Sequence, residues 1–129
     1  MTARRRRTAP RVLVVDDDAA IRQFIQMALE GSGYEVTTAE DGREALASVR
    51  DAPPRVILLD MRMPVMDGWA FTRAYRETPP PHAPIVVLTA ARDAAEYAGD
   101  VQADAFLAKP FNLRELLGLV GRLAADRQS

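Results

Sequence analysis

The sequence predicts an α/β domain: a five-stranded parallel sheet in the order 2-1-3-4-5, with helices on both faces. Three observations carry the prediction. Short apolar runs, most of them β-branched, recur five times along the chain, as strands buried on both faces require. Stretches with helical apolar spacing or helix-favouring composition follow them. Four of the five runs end in a residue with a reactive or charged side chain. Strand–helix alternation implies parallel pairing through right-handed crossovers, and 2-1-3-4-5 is a natural order for five strands.

The elements follow in order. Residues 1–10 (MTARRRRTAP) lack an apolar period and are expected to be a disordered basic tail. Val12-Leu13-Val14-Val15 is the first strand and runs into Asp16-Asp17-Asp18. Ile21, Phe24, Ile25, Ala28 and Leu29 mark one face of the first helix, with Asp17 or Asp18 as N-cap and Gly31 or Gly33 as its stop. Tyr34–Ala39 is the second strand, and Asp41-Gly42 turns the chain into a short helix carrying Ala45, Leu46 and Val49. That helix ends before Pro53-Pro54. Val56–Leu59 is the third strand, ending at Asp60, and a helix from about Trp69 to Glu77 stops at Pro79-Pro80-Pro81. Ile85–Leu88 is the fourth strand, ending at Thr89. The Ala-rich stretch 91–100 reads as a weak fourth helix. Ala103–Ala108 is the fifth strand, and Leu113, Leu116, Leu117, Val120, Leu123 and Ala124 pattern the terminal helix. One domain over 11–126 is expected, with 127–129 as a short end.

Composition narrows the function. With 129 residues, 48% of them apolar and 27% charged, the chain can fill one soluble core. No apolar run approaches the roughly 20 residues of a membrane span, and no signal peptide is visible. The absence of cysteine excludes disulfides and thiolate metal sites and suits a reducing cytoplasm. Net charge is −1, yet Arg4–Arg7 hold four of the 17 basic residues; without them 13 bases face 18 acids, a net of −5. An acidic body is a poor surface for nucleic acid, so no DNA binding is expected. Lys109 is the only lysine and His82 the only histidine. His82 precedes the fourth strand, away from the carboxyl ends, and is expected at the surface.

Ligands of open parallel sheets bind outside the carboxyl ends of the strands. Those ends deliver Asp16 and Asp17, Asp60, Thr89 and Lys109. Three carboxylates gathered there repel one another unless a cation joins them. Oxygen ligands with room for water and phosphate suit Mg²⁺. Asp60 can then act as a nucleophile toward phosphorus, with Lys109 and Thr89 neutralising and hydrogen-bonding the transferred oxygens.

The segments VLVVDD (Val12–Asp17), VILLDMRMP (Val56–Pro64), Met66-Asp67-Gly68, Leu88-Thr89-Ala90 and Lys109-Pro110-Phe111 resemble the receiver domain of two-component response regulators over about residues 11–126. The resemblance implies a flavodoxin-like (βα)5 fold and a single-domain, chemotaxis-receiver-like switch. It makes Asp60 the phosphoacceptor, with Mg²⁺ held by Asp16, Asp17, Asp60 and the backbone carbonyl of Arg62. Thr89 and Lys109 then contact the phosphoryl group, and Phe106 takes the place of the family's switch aromatic. The implied donor is a sensor histidine kinase or a His-phosphotransfer protein. The implied output is altered affinity for a downstream protein at the face of the fourth helix, fifth strand and fifth helix. The expected protein is a cytoplasmic monomer or weak phosphorylation-linked dimer without an output domain. It catalyses its own phosphotransfer and slow dephosphorylation rather than turning over a substrate.

Two other readings compete. Asp16 and Asp18 form a D-x-D pair like that of haloacid-dehalogenase-type phosphatases, but Ala20 stands where that motif wants Thr or Val. A nucleotide-binding fold is excluded, because no G-x-G-x-x-G follows the first strand and Lys109 lies in Lys-Pro-Phe.

Overall fold

The computed structural model describes residues 9–90 and 103–126. Most of the basic tail, the weak fourth helix over 91–100 and residues 127–129 lie outside the described residues. The strands are β1 (Arg11–Val15), β2 (Glu35–Ala39), β3 (Val56–Asp60), β4 (Ile85–Ala90) and β5 (Ala105–Lys109). They form one parallel sheet in the order β2-β1-β3-β4-β5, as expected. The helices are α1 (Ala19–Gly31), α2 (Gly42–Asp51), α3 (Gly68–Arg76) and the terminal α4 (Leu113–Asp126).

Strand pleat divides the interior in two. Leu13, Val15, Ile57, Leu59, Ile85 and Val87 point to one face, where Ala45 and Val49 of α2 and Phe71 and Tyr75 of α3 cover them. Val12, Val14, Val56, Leu58, Val86 and Leu88 point to the other, against Ile25 and Leu29 of α1 and Leu116, Val120 and Ala124 of α4. β1, β3 and β4 are therefore apolar on both sides, which is why their sequences run without alternation.

Helix starts follow from local chemistry. Asp18 accepts from the N–H groups of Ala20 and Ile21, Asp41 from Glu44, and Asp67 from Ala70. Asn112 and Glu115 cap α4 reciprocally. α1 ends at Gly31, and Gly33 reverses the chain at φ 95°, a conformation open to glycine.

Three expectations need correction. Phe24 and Leu113, placed on apolar helix faces, are 49% and 43% exposed. His82 is half-buried rather than superficial; its Nε2 lies 2.8 Å from the Thr78 carbonyl and its ring meets Tyr75 edge-on. The fifth strand starts at Ala105, not Ala103, because Asp104 bonds the start of β4: its Oδ2 accepts from Ile85 N–H at 2.8 Å.

Among the described residues, one non-glycine position has strained backbone. Val65, 72% exposed, sits at φ 70°, where a β-branched side chain crowds its own backbone. Asparagine tolerates that region, so Val65→Asn is expected to raise stability by about 1 kcal/mol in urea denaturation. An unchanged or lower midpoint would show that the valine contributes contacts outweighing its strain.

Candidate functional site

The strand order reverses direction between β1 and β3, the place where open parallel sheets put their ligands, outside the carboxyl ends of the strands. β1 delivers Asp16, fully buried, and Asp17, exposed; β3 delivers Asp60. One oxygen from each of these three carboxylates lies within 4.8 Å of the others. Lys109, at the end of β5, reaches across: its Nζ is 3.1 Å from Asp16 Oδ2 and 3.8 Å from Asp60 Oδ1. The other oxygen of Asp16 accepts from the Asp18 N–H at 2.9 Å. The Arg62 N–H donates to Asp60 Oδ1 over 3.5 Å.

Electrostatics follow from this crowding. Burial first, and then the charge of Asp16, push the Asp60 carboxyl up from 3.8 to about 6; Lys109 and the Arg62 N–H pull it down, and Asp17 adds a smaller upward push. Burial and like charge thus outweigh the ammonium at this distance. A hard divalent cation answers both problems, since it replaces lost hydration and offsets three like charges. The donor set, all oxygen and no sulfur or imidazole, fits Mg²⁺.

Strand alternation sorts the remaining expected residues. Lys109 is in phase with buried Leu107 of β5, on the α1/α4 face, and Asp16 and Asp60 are in phase with Val14 and Leu58 on that same face. Thr89, buried, is in phase with Val87 on the opposite face. Phe106 is the register partner of Val87 and packs with it against the α2/α3 core. The structure therefore brings Asp16, Asp17, Asp60 and Lys109 together, and sets Thr89 and Phe106 on neighbouring strands in the same phase, two residues apart in register. Of Arg62, the amide nitrogen is placed at the acceptor. The D-x-D alternative loses its acid: the Asp18 carboxylate is committed to the α1 N-terminus.

The residue-by-residue reading did not single out two glycines for the site. A Cβ on Gly68 would lie 2.5 Å from Met61 Sδ, 2.7 Å from Met61 Cα and 3.0 Å from the Asp60 carbonyl. One on Gly42 would meet Met66 Cγ and its carbonyl oxygen at 2.7 Å, the same oxygen that accepts from Gly42 N–H. Both glycines hold the loop that follows Asp60. The only sequence signal is that each opens a helix behind an Asp cap.

Comparisons with known proteins agree with this geometry. The family model of the response regulator receiver domain matches residues 12–121. The response regulator MprA of Mycolicibacterium vanbaalenii is 46% identical over 109 residues, covering 83% of this chain and 47% of MprA. The chain thus spans about half the length of that relative. The structure of the chemotaxis response regulator CheY4 of Vibrio cholerae superposes with a TM-score of 0.81 at 41% identity, covering 90% of this chain and 99% of that one. The receiver domain of the sensor histidine kinase PA1611 from Pseudomonas aeruginosa, solved with a magnesium ion coordinated in its active-site cleft, gives a TM-score of 0.83 at 31% identity, covering 92% and 99%. With nearly the whole chain matched and its acidic rim in place, the protein belongs to the response-regulator receiver domain family of two-component systems.

Proposed function

We propose that the chain accepts a phosphoryl group on Asp60 from a phosphohistidine and changes its affinity for a protein partner in response. The observation that carries this reading is the rim itself: three carboxylates within 4.8 Å and an ammonium reaching two of them. Asp16, Asp17, Asp60 and the Arg62 carbonyl are the proposed Mg²⁺ ligands. Bound Mg²⁺ supplies positive charge to the carboxylates and to the phosphoryl oxygens. An oxygen of the ionised Asp60 carboxylate attacks phosphorus, the O–P bond forms as the donor's P–N bond breaks, and the imidazole departs as a neutral ring, taking the proton it needs from solvent. Lys109 neutralises charge developing on the phosphoryl oxygens, and the Thr89 hydroxyl hydrogen-bonds one of them. The donor is proposed to be a sensor histidine kinase or His-phosphotransfer protein, meeting the chain in the cytoplasm.

Thr89 and Phe106 share one phase of neighbouring strands, two residues apart in register, and motion of Thr89 toward the phosphoryl group is proposed to free space for Phe106. The proposed readout is the surface of β5 and α4; the fourth helix expected to complete that face, over 91–100, lies outside the described residues. No helix among the described residues is long and apolar enough to cross a membrane. The described elements within 11–126 are those of the five-stranded fold, so DNA recognition is not proposed for this stretch.

The test is incubation with Mg²⁺ and acetyl phosphate, read by intact mass beside Asp60→Asn. One added phosphoryl group, absent from the variant, supports the proposal. Its absence from both proteins, with Mg²⁺ bound, favours a docking module that works without phosphorylation. Arg62, exposed two residues beyond Asp60, flanks the path of water to the acyl phosphate. Arg62→Asn is expected to shorten the phosphoryl half-life roughly tenfold, within the up to about hundredfold by which the placement of one group near the reacting atoms changes a rate. An unchanged half-life would remove Arg62 from that role.

A further inference from the structure

α1 carries no acidic residue in its first turn, yet Arg22 stands where that turn closes. A cation near a helix N-terminus opposes the helix dipole, so its position calls for a compensating contact. The contact is local. Arg22 Nη1 donates to the backbone carbonyl of Asp16 over 2.8 Å. Asp16 is fully buried, so without the guanidinium its carbonyl loses a strong charge-assisted bond in a place with little water.

We infer that Arg22 is a positioning residue for the metal site: by gripping the Asp16 carbonyl, it fixes the peptide joining Asp16 to Asp17 and so the direction in which the Asp17 carboxylate faces Asp60.

The surrounding bonds show why this peptide needs an anchor. On its upstream side, the Asp16 N–H donates to the Ala39 carbonyl of β2 at 3.1 Å. On its downstream side, the Asp18 N–H donates to the Asp16 carboxylate, and Asp18 caps α1. The Asp16 side chain is held by Lys109. Asp17 is the exposed member of the acidic trio. Its orientation is therefore set through the main chain, and the Asp16 carbonyl is the group on that peptide which Arg22 holds. The guanidinium also keeps a permanent positive charge beside the trio. That charge alone would repel an incoming cation, so positioning and repulsion act on Mg²⁺ affinity with opposite signs.

This inference rests on the reading of Asp16, Asp17 and Asp60 as Mg²⁺ ligands, and the experiment separates the two. Mg²⁺ binding to the whole chain is measured by calorimetry at a temperature well below the unfolding transition, for the wild type, Arg22→Ala and Arg22→Lys. Arg22→Ala is expected to bind about tenfold more weakly, the scale on which groups that orient metal ligands act. Arg22→Lys keeps a donor and is expected to recover part of the loss. A merely structural role would lower the melting temperature and leave the affinity of the folded protein unmoved. Affinity within twofold of wild type, or tighter binding by Arg22→Ala, overturns the positioning role while leaving the metal site intact. No Mg²⁺ binding by the wild type overturns the site reading and this inference with it.

Discussion

Replacing Asp60 with Asn is expected to make the protein more stable at pH 7 in the absence of divalent cations. Asp60 is 13% exposed at the side chain and its carboxyl is raised to about 6, so between about pH 4 and pH 6 the folded state binds a proton that the unfolded chain releases. Folding stability therefore falls as pH rises through that window, and above it the ionised carboxylate is a standing cost. A shift of about two units corresponds to roughly 3 kcal/mol, and about 2 kcal/mol is expected to be recovered because Asn has its own desolvation cost. For a chain of this size that is a rise of roughly 7 °C in melting temperature. Thermal melts at pH 4 and pH 7.5 test it. The gap between variant and wild type should be wide at pH 7.5 and nearly closed at pH 4. A gap equal at both values would assign the effect to packing rather than charge. Saturating Mg²⁺ should narrow the gap at pH 7.5 from the other side, because a ligand at 100 times its Kd stabilises the folded state by about 2.7 kcal/mol.

Gly68→Ala is expected to damage both stability and phosphoryl acceptance. The new methyl group meets the Met61 Cα at 2.7 Å and the Asp60 carbonyl at 3.0 Å, atoms of the main chain that cannot rotate away. Met61 Sδ, at 2.5 Å, belongs to a fully buried side chain with no open side to move into. The Gly68 N–H also donates to the Met61 carbonyl, so the two segments cannot part without losing that bond. Overpacking of this kind costs about 1–3 kcal/mol, more than the up to about 1 kcal/mol that alanine gains in a helix. Any relief comes from shifting the Asp60–Met61 peptide, and a displacement near 1 Å at a nucleophile costs up to about a hundredfold in rate. Urea denaturation and the rate of phosphorylation by acetyl phosphate are the readouts. Gly118→Ala in α4, with nothing within 4 Å of the added carbon, is the control and should be neutral or stabilising. Matching behaviour of the two variants would refute the close-approach argument.

Much of this was legible in the sequence, for local reasons. Val12–Val15, Val56–Leu59 and Ile85–Leu88 declare buried strands because a parallel sheet covered on both faces needs apolar residues at every position. Asp18 declares a helix start because the capping bond spans two or three residues, whereas Asp41 and Asp67, which read as turn and motif residues, are seen as caps only in the structure. The candidate site was legible because every strand delivers its last residue to the same rim. What escaped is tertiary. Periodicity tells which way a side chain of α1 points, but not how far the sheet extends beneath it, so Phe24 at the edge of the stripe is half exposed while Ile25 is covered. The approach of Gly42 to Met66 joins residues 24 positions apart, and no local pattern announces it. The Arg22 bond to Asp16 is shorter in range, yet it depends on how α1 departs from β1, which composition does not state.

The two-sided sheet has a consequence for how such a protein can diverge. Asp16, Asp60 and Lys109 share the phase of the α1/α4 side, whereas Thr89 and Phe106 share that of the α2/α3 side. Substitutions on the α2/α3 side that share no contact with the acidic trio are expected to leave it largely untouched, since residues without shared contacts act additively, whereas Thr89, proposed to bond the phosphoryl group, belongs to both. Away from Thr89, one scaffold can therefore keep its acidic rim unchanged while acquiring a different threshold for switching.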